Sequence, residues 1–193
     1  MTEFAFILGN GKTRLGIMPS NLSVCGYVYA CNRIYIEFSP DVLVSTDTAM
    51  AHEIQESGYS ENNTHYTRES NILQGSGAKS LMPEYAGFSS GPNAIALAAA
   101  EGFPYIFLIG FDLVSENKLI NNIYSDTPNY AKSDSLSTNS DNWATQIYEI
   151  AEKFNNQRFI HVNPLLGYTP ENWLTLPNFE VMNLTGFRFM LNI

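Results

Sequence analysis

The sequence predicts an α/β fold: a single Rossmann-like domain with a mainly parallel sheet and helices on both faces. Three observations point there. Phe4–Leu8 and Tyr105–Ile109 are continuous apolar runs, the pattern of strands buried on both faces. Each run stops at a glycine turn, Gly9-Asn10-Gly11 and Gly110-Phe111-Asp112. Between the strand candidates lie segments with helical spacing and helix-ending residues. The 193 residues fit one domain spanning 1–193, and a hydrophobic fraction of 45% is enough to build a core.

Taken in order, Phe4–Leu8 is the first strand. Val24–Cys31 is the second, weakened by Gly26, and Asp41–Ser45 the third, cut off at Thr46-Asp47. Thr48–Ser57 reads as a helix with Ala49, Ala51 and Ile54 inside, ended by Gly58. Residues 60–80 are polar, with Asn71–Gln74 as a candidate short strand. Pro92 suits a first helical turn, Asn93–Glu101 continues the helix, and Gly102 caps it. Tyr105–Ile109 is the strongest strand of the chain. Residues 115–139, rich in Asn, Ser, Asp and Tyr, read as a long loop or lid. Thr138 with Asp141 resembles a capping box for a helix running to about Phe154. Phe159–Val162 is a further strand, ended by Asn163-Pro164. The tail, 165–193, fits an edge strand, a hairpin or a surface packed on a partner chain, which would make a homo-oligomer.

Charge narrows the partners. Lys and Arg number 10 against 19 Asp and Glu, a net charge of −9. Such a surface repels nucleic acid and anionic membranes. It leaves room for a small anion held by backbone N–H groups in one pocket. No stretch is long and apolar enough to span a bilayer, and the opening residues lack the pattern of a signal peptide. Cys25 and Cys31 fall in one extended segment that holds them too far apart to bridge. A reduced, cytoplasmic setting is expected, and two cysteines with three scattered histidines make no structural zinc site.

The chemistry concentrates at strand ends. Gly9-Asn10-Gly11-Lys12-Thr13 is not a P-loop, because the glycine required five positions before the Gly-Lys pair is Phe6. It is not a dinucleotide fingerprint either, since the third glycine falls on Arg14. It reads as a tight turn, or as a turn facing phosphate or sugar. Asp47 and Asp112 both stand just past strand ends. Asp47 suits a helix cap as well as a ligand contact. Asp112 follows a fully apolar strand, where an acid needs a partner, a ligand hydroxyl or an amide. Ser89-Ser90-Gly91 precedes a helix and reads equally as an ordinary N-cap or as a helix start aimed at a phosphate or carboxylate. His52 is expected at a helix surface, His65 in the polar middle and His161 packed in a strand. Tyr124, Tyr130 and Lys132 lie in the long loop, placed to close over a ligand or simply to face solvent. No Asp-x-Asp pair follows a strand, so a metal-dependent sugar-nucleotide site is not supported.

Three blocks give the chain a family resemblance. They are Phe6–Gly11, Ala30-Cys-Asn-Arg33 with the Val42–Asp47 segment behind it, and Ser89-Ser-Gly91 followed by a helix, Gly102-Phe103 and Tyr105–Asp112. In this order and spacing the chain resembles the bacterial lipooligosaccharide sialyltransferases over residues 4–164. That family transfers sialic acid from a cytidine-monophosphate donor without a metal or other cofactor. The resemblance implies donor contacts for Gly9, Asn10, Gly11, Asn32 and Asp47, a phosphate or carboxylate site at Ser89, Ser90 and Gly91, and a place near the nucleoside for Asp112. It makes Tyr124 the counterpart of a loop tyrosine on the leaving phosphate, and Tyr124 and Tyr130 the catalytic candidates.

Two departures stand out. The family has Asn where this chain has Asp47, and its general-base histidine precedes the helix that begins here near Asn139. No histidine occurs between Gly102 and Ile160. The basic C-terminal region of the family is missing too. The expected partner is a nucleotide or nucleotide-sugar, CMP-linked by preference. The alternatives are a non-catalytic binder of the same fold, either a nucleotide sensor or an accessory protein, and an interaction subunit with a vestigial pocket that uses the aromatic tail from Trp173 to Ile193 as its working surface. Either nucleotide reading requires the turns at Asn10, Asn32, Asp47, Ser90 and Asp112 to converge on one cleft at the carboxyl edge of the sheet, beneath the 115–139 loop.

Overall fold

Every residue of Ala5–Leu8 is buried, because alternate side chains of this strand meet helices on opposite faces of the sheet. The computed structural model describes residues 3–113, 118–137, 140–163 and 168–193. Its strands are β1 (Phe4–Leu8), β2 (Tyr27–Cys31), β3 (Val42–Ser45), β4 (His65–Thr67), β5 (Lys79–Ser80), β6 (Tyr105–Ile109), β7 (Arg158–Val162) and β8 (Phe179–Met182). They form one sheet in the order β5-β4-β3-β2-β1-β6-β7-β8. Every ladder in it is parallel. The helices are α1 (Pro19–Ser23), α2 (Thr48–Glu56), α3 (Tyr59–Asn62), α4 (Ser90–Ala100), α5 (Asp141–Lys153) and α6 (Leu184–Leu191).

Two cores follow from the period of two along each strand. Ala5, Ile7, Ile106 and Leu108 pack with α4 and α5 on one face. Phe6, Leu8, Phe107 and Ile109 pack with Leu22 of α1, Met50 and Ile54 of α2 and Phe187 of α6 on the other. The expected α/β architecture with a two-sided parallel sheet is therefore present, and it is Rossmann-like.

The local differences have identifiable causes. The second strand starts at Tyr27 rather than Val24, because α1 and its C-cap occupy the preceding residues. Gly26 sits where β2 meets β1, and a Cβ there would lie 2.5 Å from the Phe4 carbonyl oxygen. Asn71–Gln74 is not a strand. The Gln55 side chain of α2 donates to the Asn71 carbonyl and accepts from the Leu73 N–H, so this segment is tied to a helix instead of a ladder. The strands of the polar middle are β4 and β5. Thr138 lies outside the described residues, and Ser140, the residue before α5, makes no side-chain cap.

The tail contributes an edge strand, and it is parallel. β8 pairs with β7, and the Asn183 side chain caps α6 by accepting from the Gly186 N–H at 2.7 Å. Trp173 and Phe187 are wholly buried, Trp173 against Phe179 and Phe187 against Phe6 and Phe107, so these rings belong to the core, while Phe189 is exposed. Cys25 and Cys31 form no disulfide. Burial pushes the Cys31 thiol up to about 12, which leaves it protonated and unreactive. Among the described residues no helix is long and apolar enough to cross a membrane.

The integration of the tail is measurable. Phe187→Ala is expected to cost about 3–5 kcal/mol in urea unfolding, whereas Phe189→Ala, at a side chain 88% exposed, should stay within about 0.5 kcal/mol. Equal, small effects at both positions would mean that α6 does not dock.

Candidate functional site

After β1 the chain builds outward through β2 to β5, then crosses back by α4 to place β6 on the other side of β1. The point where this direction reverses lies between β1 and β6, and in open α/β sheets ligands bind in the crevice beyond the strand ends there. Two glycines bring the exits of these strands together. Gly9 N–H donates to the Ile109 carbonyl at 2.8 Å and Gly11 N–H to the Gly110 carbonyl at 2.9 Å. Gly110 has φ +75°, and a Cβ on Gly9 would stand 2.5 Å from the Gly110 carbonyl oxygen.

Asp112 locks this turn. Its carboxylate accepts from the Thr13 N–H at 3.1 Å, from the Thr13 hydroxyl and from the Asn121 amide at 2.9 Å. The partners that an acid behind an apolar strand needs come from the chain itself, an amide and the Thr13 hydroxyl in place of a ligand hydroxyl. A Cβ on Gly11 would fall 2.4 Å from the Asp112 carboxyl carbon, so Gly11 makes room for the acid.

A cleft of about 320 Å³ opens over these turns, within the range of small-ligand sites. Gly9, Asn10, Gly11, Asn32 and Asp112 line it. So do Asp47 and, from the start of α4, Ser89, Ser90 and Gly91. All nine of the residues expected to contact ligand therefore share one cleft. Their individual roles differ. The Ser90 hydroxyl donates to Asn32 Oδ1 at 3.1 Å, accepts from the Thr46 N–H at 3.0 Å and lies 3.0 Å from the Thr46 hydroxyl. With one proton and two lone pairs it is saturated, so it ties α4 to the ends of β2 and β3. Asn32 reaches this tie from a left-handed backbone, φ +59°, a conformation Asn tolerates better than most residues. Gly91 leaves space for the Phe111 ring, whose Cε1 would sit 2.9 Å from a Cβ. Asp47 precedes α2, is exposed and makes no side-chain cap bond.

The two tyrosines lie elsewhere. Neither Tyr124 nor Tyr130 lines the cleft. The Tyr124 hydroxyl contacts the Arg14 guanidinium at 2.9 Å and the Glu37 carboxylate. The Tyr130 hydroxyl accepts from the Asn10 amide at 3.2 Å. Burial raises both phenols well above their ordinary range, so neither is suited to act as a base at neutral pH. They anchor the loop from beneath, together with the Ile123 N–H on the Asn10 carbonyl at 2.9 Å. Of the expected lid, Asn121 and Asn122 reach the cleft, Lys132 does not line it, and 114–117 and 138–139 lie outside the described residues.

The sequence reading missed Arg68 and Trp143, which also line the cleft. Arg68 follows β4 directly, so recognising that strand would have placed it on the rim. Its Nε donates to the Ala86 carbonyl at 2.9 Å, and among the described residues it forms no ion pair. Trp143 sits in the first turn of α5 and carries no sequence signal beyond that position.

No histidine lines the cleft. His65 is in β4, with its two ring nitrogens 2.7 Å from the Ser45 hydroxyl and 2.8 Å from the Ser60 hydroxyl. His161 is in β7, 2.9 Å from the Thr169 hydroxyl and edge-on to Trp173. Burial lowers each from 6.5 to about 4. Among the described residues no group of three or more His, Cys, Asp or Glu is placed to hold a metal ion.

The fold and cleft define a doubly wound, Rossmann-like α/β protein with a polar site at its switch point. No protein-family model, curated protein or solved structure matches the chain.

Two outcomes test this geometry. Ser90→Ala strands the buried Thr46 N–H and should cost about 1–3 kcal/mol in chemical denaturation. Between pH 6.5 and about 4 the unfolded chain takes up protons at His65 and His161 that the folded chain refuses. Stability is therefore full above pH 6.5 and falls as the pH drops through that window. His65→Phe, whatever its effect on absolute stability, should flatten that slope in urea midpoints measured from pH 7.5 down to 4.5.

Proposed function

We propose that the cleft binds a nucleotide or nucleotide-sugar, with its phosphate between the start of α4 and the Arg68 guanidinium. One observation carries this reading: a helix start and an arginine outside any ion pair among the described residues line the same switch-point cleft. The first N–H groups of a helix lack intrahelical acceptors, and the dipole is positive there, so an anion is favoured. Arg68 adds a full charge held in place by the Ala86 carbonyl. Asn32 and Asn122, also in the lining, carry amide groups suited to ribose or sugar hydroxyls. With the surrounding chain at a net −9, a single small anion suits this local site and a polyanion does not.

The reaction supported by the sequence resemblance is metal-independent glycosyl transfer, from a CMP-linked donor by preference. Transfer to a hydroxyl needs a base. Asp47 is the cleft group that suits the task, being exposed and making no cap bond to α2. A second reading, nucleotide binding without turnover, has its own support: no histidine lines the cleft, and the Tyr124 and Tyr130 phenols are occupied below it.

Thermal-shift titration and nucleotide-release assays separate these readings. CMP should raise the melting temperature, and Arg68→Ala should weaken that binding by about 10- to 100-fold. Asp47→Asn should leave CMP binding intact and lower CMP release from CMP-linked sugars by about 100-fold or more. CMP binding with no release from CMP-, UDP- or GDP-linked sugars would leave the binding-only reading standing. No thermal response to any nucleotide would remove both.

A further inference from the structure

We infer that Trp143 is the platform on which the base of the bound nucleotide stacks, so that the cleft selects a base-bearing mononucleotide over a bare sugar phosphate. This rests on the nucleotide reading above and adds a specificity element to it. Trp143 lines the cleft and is 38% exposed, although it is one of the largest apolar side chains in the protein. The other tryptophan behaves differently. Trp173 is wholly buried, its Nε1 donates to the Ala144 carbonyl at 2.9 Å, and its ring packs on His161 and Phe179. One indole thus serves the core, while the other is left partly open at the cleft.

The position of Trp143 relative to the phosphate site is fixed through its own helix. Three residues on, Gln146 is buried, and its Oε1 accepts from the Ser89 N–H at 2.9 Å. Residues at that spacing share a helix face, and three residues advance about 4.5 Å along the axis. Trp143 thus lies about one helical turn along α5 from the residue that binds the start of α4, and its indole and that helix start line one cleft. Asn122 lines the same cleft and carries an amide group suited to the edge of a stacked base. A flat indole face accepts any base, because every base has a π-face.

The test uses the whole chain, CMP and AMP as base-bearing ligands and ribose 5-phosphate as the base-free control. Binding is followed by tryptophan emission and by calorimetry. CMP and AMP should quench the emission, whereas ribose 5-phosphate should bind with little change. Trp143→Ala should weaken CMP and AMP by about 5- to 150-fold while leaving ribose 5-phosphate within about twofold. Trp143→Phe, which keeps a ring face, should restore most of the loss and leave only the nucleotide-insensitive emission of Trp173. Equal loss for all three ligands in Trp143→Ala, or no loss for any, overturns the stacking role while the phosphate reading survives. If wild-type protein binds neither CMP, AMP nor ribose 5-phosphate, the phosphate reading itself fails and takes this inference with it.

Discussion

Where β1 and β6 leave the sheet, Gly9 and Gly110 approach so closely that a side chain on Gly9 would collide with the Gly110 carbonyl. Most of the site depends on that approach. It brings the turns after two non-consecutive strands into hydrogen-bond contact, so that Asp112 can reach across to the Thr13 N–H. Gly11 completes the arrangement by leaving room for the carboxylate. The floor of the cleft is therefore made of backbone turns that lock one another, and the polar side chains around it project from a rigid base.

The second wall is built by α4. Its Ala-rich sequence packs across β3, β2, β1 and β6, and burial on nearly every side fixes where the helix begins. The Ser90 hydroxyl then ties that beginning to Asn32 and Thr46, and Asn71 continues the link by donating to the Thr46 carbonyl at 3.1 Å. A buried polar chain of this kind is stable only when each member is satisfied. Here saturation leaves the Ser90 side chain a structural part, while the positive end of α4 and Arg68 supply the electrostatics. Local charge of this sort is compatible with an acidic protein, because solvent screening weakens the field of distant surface carboxylates more than that of groups in the cleft.

Much of this was legible in the chain. The continuous apolar strands Phe4–Leu8 and Tyr105–Ile109 implied burial on both faces, and the glycine turns behind them marked the strand ends. The nine candidate contacts, drawn from these strand ends and from the family resemblance together, line one cleft. The polar middle was illegible for a physical reason. β4 has three residues and β5 two, too short for any period to appear, and both are held by neighbouring ladders rather than by their own propensity. Arg68 was lost with β4. The tyrosines were misplaced because a loop rich in Tyr and Asn looks solvent-facing, whereas Arg14 is buried beneath it and draws the Tyr124 hydroxyl inward.

By itself the sequence determined the two-sided parallel sheet, the carboxyl edge as the place of the turns and the absence of a dinucleotide or P-loop fingerprint. These are local properties, carried by side-chain period, turn glycines and residue spacing. Only the tertiary structure decided that β6 lies beside β1, that Trp173 and Phe187 belong to the core, and that Arg68 and Trp143 meet at one cleft. Those outcomes depend on contacts between residues far apart in the chain. Which strand neighbours which is set by how helices from both halves cover the two faces, and no short segment encodes that.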